Sequence, residues 1–87
     1  MALQTARESV PTPRIPAGVP LRLATAGPSL WRVIDRSGLV IGHLQGVRYA
    51  GGVRFRARRF HAASRAFRDL GEFWSADDAL DCVRFAR

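Results

Sequence analysis

Proline placement divides this chain before any other signal does. All five prolines (Pro11, Pro13, Pro16, Pro20 and Pro28) fall in the first third, and none follows. Each fixes its own φ, lacks a backbone donor and pushes the preceding residue out of the helical region. Residues 10–20 therefore cannot form a helix or a central strand, and the expectation for residues 1–29 is a disordered, proline-rich arm. Residues 2–8 are able to form a transient helical turn, but one or two isolated turns are unstable in water. Arg7, Arg14 and Arg22 make the arm mildly basic, as an inert tail or as an electrostatic tether.

From Leu30 onward, period-two alternation and turn residues become regular, which places a folded domain at 30–87. Strands are expected at 30–35 and 39–45, joined by a tight turn at Asp35-Arg36-Ser37-Gly38. So short a link permits only antiparallel pairing. Residues 46–52 read as the next connection, with Gly51-Gly52 its strongest signal. A third strand follows at 53–60, with Val53, Phe55 and Ala57 on one face and Arg54, Arg56 and Arg58 on the other. Residues 61–65 read as a loop and 66–70 as a short fourth strand ended by Gly71.

The last element is a helix. Ser75 is a good N-cap, and Asp78 three residues later makes a pattern like a capping box. Asp77 and Asp78 suit the positive end of the helix dipole, and Arg84 and Arg87 the negative end. Ala76, Ala79, Leu80 and Val83 share one face, which should cover one side of the sheet. The expected fold class is α+β: a three- to four-stranded antiparallel meander packed on one C-terminal α-helix, preceded by the arm.

Charge narrows the function. Fourteen arginines and no lysine stand against seven acids, a formal net charge of +7. Codon bias in a GC-rich genome accounts for arginine in place of lysine, but not for twice as many bases as acids. The excess favours an anionic partner. Cys82 is the single cysteine, so no intramolecular disulfide forms. The N-terminus lacks the apolar run of a secretory signal, and no stretch approaches the roughly 18 apolar residues of a bilayer span. A cytoplasmic protein away from the membrane is expected.

Catalysis finds little support. His43 and His61 have no carboxylate at a pairing distance in sequence, Cys82 lies mid-helix, and capping accounts for Asp77 and Asp78. No glycine-rich phosphate loop or zinc-ligand spacing occurs. No enzyme activity, catalytic residue, metal or cofactor is expected.

The most specific chemical feature is the arginine ladder. Alternate residues on a strand lie about 6.5–7 Å apart on one face. Arg54, Arg56 and Arg58 thus present a row of planar donors suited to phosphate oxygens or guanine edges. Arg32 and Arg68 extend the row if their strands pair in suitable register, and Trp31 or Trp74 adds stacking area. The plainer account is that one face of such a domain must be solvated, and arginine often sits there.

Residues 53–59 followed by Leu70-Gly71-Glu72-Phe73-Trp74-Ser75-Ala76-Asp77-Asp78-Ala79 resemble the AP2-type and integrase arm-binding DNA domains. There a basic and aromatic strand precedes a similar Gly-x-Phe-x-Ser/Thr-x-x-x-Ala helix start. The resemblance implies a sheet laid in the DNA major groove with the helix behind it, and Arg54, Arg56 and Arg58 as the contact row with Arg32 beside them. The usual lysines are missing, and a free-standing module without a recombinase catalytic domain is expected. The C-terminal part is also similar to short proteins of GC-rich actinobacteria, a likeness that implies no activity. The expected function is a small basic module binding nucleic acid, duplex DNA before RNA. The alternative is a protein-interaction or assembly module using the sheet edge or an exposed aromatic patch.

Overall fold

Four tight turns fold residues 21–73 back and forth on themselves. The first places Pro28 and then Ser29, at φ 55°, at the two central positions between paired Gly27 and Leu30. That order matches the demand of a type II turn for Pro first and positive φ second. At the second, the Asp35 carboxylate accepts from the Ser37 and Leu39 amides at 2.9 and 3.0 Å, and Gly38 takes φ 89°. Ala50-Gly51 and residues 62–65 make the other two.

The computed structural model describes residues 9–86. The strands are β1 (Leu21–Gly27), β2 (Leu30–Asp35), β3 (Val40–Tyr49), β4 (Gly52–His61) and β5 (Ala66–Phe73), followed by helix α1 (Ala76–Phe85). They form one antiparallel sheet in the order β1-β2-β3-β4-β5, a meander. The class is α+β as expected, but the sheet has five strands rather than three to four.

The extra strand is β1, which lies inside the segment expected to be disordered. Pro20 and Pro28 stand just outside it, so neither breaks its ladder. Within it, Leu23 pairs with Val33 and Arg22 with Ile34. The sheet therefore starts at Leu21, not at residue 30. Residues 9–20 adopt no helix or strand, yet they are not a free arm. Val10 is buried, its amide donates to Ser29 Oγ at 2.6 Å, and Thr12 Oγ1 accepts from the Trp31 indole N–H at 3.0 Å. Residues 2–8, read as a transient turn, lie outside the described residues, as does Arg87.

One sheet face carries the core. Trp31, Val33, Leu44 and Ala57 are buried there against Ala79, Leu80 and Val83 of α1 and Val10 of the N-terminal segment. Val53 and Phe55 pack on the edge of the same cluster, as the alternation of β4 predicts. Burying a side chain of leucine or valine size contributes roughly 1.5–3 kcal/mol.

Two glycines of β3 let the cover come close. A Cβ on Gly42 would overlap the Arg58 carbonyl oxygen and stand 2.8 Å from Val83 Cγ1. A Cβ on Gly46 would stand 2.8–2.9 Å from three atoms of Val10. Gly46, expected in a connection, is thus a strand residue beneath the N-terminal segment. The helix begins as its caps predict, with Ser75 Oγ accepting from the Asp78 amide at 3.1 Å. At its other end, Arg59 donates to the Val83 carbonyl at 2.8 Å.

Candidate nucleic-acid interface

Both covering elements lie on one side, so the opposite face of the sheet has no layer over it among the described residues. Strand parity assigns its side chains. The register pairs Arg32 of β2 with His43 of β3, His43 with Arg58 of β4, and Arg58 with Asp69 of β5. One rung further, Gln45 pairs with Arg56 and Arg56 with Glu72. Beyond it, Val47 pairs with Arg54. Directly opposed residues in an antiparallel pair have Cα atoms about 4.5–5.5 Å apart. Arg32, His43 and Arg58 therefore form a continuous row across three strands. Beside it, Leu30, His43, Gln45, Arg56 and Arg58 line a depression of about 270 Å³.

The four arginines here are not equivalent. Arg56 Nε lies 3.3 Å from Glu72 Oε2, and the Tyr49 hydroxyl donates to that same oxygen at 2.8 Å. Glu72 thereby holds the Tyr49 phenol above its usual pKa, mainly through this hydrogen bond. The Arg54 guanidinium stands 3.7 Å from the centre of the Trp74 ring, a cation–π contact. Arg32 and Arg58 are exposed, and among the described residues neither has an ion-pair partner.

His43 lies between those two charges. Its ring stacks on Phe67 of β5, with centroids 4.2 Å apart and planes 15° apart. Burial lowers its pKa from the ordinary value, and the charges of Arg32 and Arg58 lower it further. Phe60 packs on the other ring of this group, 5.3 Å from Phe67.

Of the residues predicted from the sequence, Arg32, Arg54, Arg56 and Arg58 share this face, and Arg22 of β1 joins them at its rim. Arg68 does not. A bulge between β4 and β5, where Leu70 has no partner, shifts the pairing so that Arg68 lies opposite Arg59. Arg59 reaches the helix, so this pair belongs to the covered side. A bulge flips the parity of every residue beyond it. Trp31, considered for stacking, is buried in the core, whereas Trp74 is 66% exposed. Sequence reasoning missed His43, Phe67 and Tyr49, because their roles arise from cross-strand register rather than from local spacing.

Among the described residues, no three His, Cys, Asp or Glu side chains gather where a metal ion could bind. No helix of the described residues is long and apolar enough to cross a membrane. No family model matches the chain, and neither does any curated protein or solved structure.

Proposed function

We propose that this chain is a nucleic-acid-binding module that contacts phosphates through its open sheet face, with duplex DNA as the first ligand to test. One observation carries the proposal: Arg32, Arg54, Arg56 and Arg58 project from a single uncovered face, and neither Arg32 nor Arg58 has an ion-pair partner among the described residues. Unneutralised guanidiniums are suited to phosphate oxygens in planar, forked geometry. The net charge of +7 adds long-range attraction for a polyanion. Five strands about 4.8 Å apart place roughly 19 Å between the edge strands, wider than the roughly 12 Å major groove. The sheet would accordingly rest against the phosphate backbone rather than enter the groove whole, unlike the docking that the AP2-type resemblance implies. Such a module would work in the cytoplasm, beside the nucleic acid.

The test is a salt titration of affinity for duplex DNA, single-stranded DNA and RNA. Three to four neutralised phosphates give a log–log slope of about −2.7 to −3.6 on duplex. Arg58→Ala should flatten the slope by about one unit. Absence of binding to all three at low salt would overturn the proposal.

The protein-interaction alternative has its own observation. Arg56, Glu72 and Tyr49 already satisfy one another, and Trp74 and Phe85 are both largely exposed. In that case the free arginines keep the chain soluble, and the aromatics meet a protein partner.

A further inference from the structure

We propose that Arg32, His43 and Arg58 form one oxyanion site that holds a single phosphate group, and that filling it brings a proton onto His43. This deepens the nucleic-acid proposal and rests on it for the identity of the natural ligand. The site stands on geometry. Three consecutive cross-strand partners on three strands point from the same face, and the depression at their side is open to solvent. The row also carries an excess of positive charge. Two guanidiniums flank one imidazole, and each would oppose an imidazolium directly across from it. The nearest carboxylate in the row is Asp69, whose Oδ1 is engaged by the Gly71 amide at 3.1 Å. Glu72 is taken up by Arg56 and Tyr49. A phosphate over the row would supply the missing negative charge.

His43 supplies the coupling. The charged and polar groups around it are Arg32 from β2, Gln45 from its own strand, and Arg56 and Arg58 from β4. From β5 it meets Phe67, with Asp69 beyond Arg58. Among the described residues, the helix and residues 9–20 lie on the other face and contribute none. Burial first, and then the charges of Arg32 and Arg58, disfavour imidazolium in the free protein. An anion resting on all three groups offsets those charges. A phosphodiester does not titrate near neutral pH, so the proton that arrives on His43 comes from solvent. By linkage, an anion that raises the His43 pKa by about one unit binds about tenfold more tightly below the free-state pKa than above the bound-state one.

Two probes test this. Sulfate, a tetrahedral oxyanion that does not titrate near neutrality, is compared with chloride at equal ionic strength. A short DNA duplex is the second probe. The imidazole resonances of His43 and His61 are followed against pH with each. The expected result is a rise of about one unit for His43 alone, lost in Arg32→Gln and Arg58→Gln, with duplex affinity that strengthens as pH falls in the parent but not in His43→Gln. Thermal melts verify that the variants fold. Sulfate moving His43 while no nucleic acid binds would keep the site and overturn the nucleic-acid proposal. Duplex binding with no shift of His43 would do the reverse. No shift with either probe, and no binding, would overturn both.

Discussion

Val10 fills the hollow that Gly46 leaves in β3, with Val10 Cβ, Cγ1 and Cγ2 standing where a side chain at position 46 would begin. This contact fastens a segment without regular structure to the central strand of the sheet. It closes the part of the core that α1 does not reach, next to the buried Trp31.

Gly46→Ala should destabilise the fold by about 1–3 kcal/mol through overpacking. Combined with Val10→Ala, the loss should fall short of the sum of the two single losses, because both changes act on one contact. Denaturant unfolding of the four proteins measures this. Strict additivity would show that Val10 does not sit on Gly46.

The hydrogen bond from the Trp31 indole to Thr12 leads to a second prediction. Thr12→Val keeps the shape but leaves a part-buried donor without its acceptor, at a cost of about 1–2 kcal/mol. In a Trp74→Phe background the remaining indole emission reports position 31 alone. An unchanged melt together with an unchanged emission maximum would count against the attached segment.

A third prediction concerns pH. His43 has a folded-state pKa below its ordinary value, set by burial and then by Arg32 and Arg58. The unfolded chain then binds more protons than the folded one between those two values. The stability linked to His43 is complete above about pH 6.5, the unfolded value, and is lost as pH falls through the folded value. His43→Gln should flatten the melting temperature profile over that window, and a profile identical to the parent's would contradict the placement of the ring.

Glu72→Gln separates the two functional readings. It removes a negative charge from the open face and releases Arg56 from its 3.3 Å contact. Nucleic-acid affinity at low salt should rise several-fold, since the charge-assisted pair no longer competes with phosphate. The protein-interaction reading expects no gain for nucleic acid. Stability should change by under about 1 kcal/mol, because an exposed ion pair contributes little.

Much of this was legible from local pattern. The turn at residues 35–38, the alternation of β4 and the Ser75 cap all follow from residues a few positions apart, and all three form as read. β1 was hidden because prolines surround it, although none lies within it. Gly46 looked like turn chemistry, since nothing nearby in sequence announces that Val10 will need its space. Arg68 meets no such register, because the unpaired Leu70 shifts its strand by one residue, and the alternation of residues 66–70 alone does not show that shift. The row through His43 depends on which residue of one strand meets which of the next. That is fixed by register, and single-chain periodicity carries no register between strands.

The meander order has a consequence for how the two faces come into being. Every strand pairs only with its neighbours in sequence, so sheet formation asks for short loop closures of the kind that proceed quickly. The rungs of the arginine face are set by these local pairings. The covered face must wait for two distant reaches of chain, Val10 returning to Gly46 and Val83 descending onto Gly42. Stopped-flow refolding should then show the binding surface maturing ahead of the Trp31 environment, and simultaneous appearance of both signals would speak for a single concerted collapse.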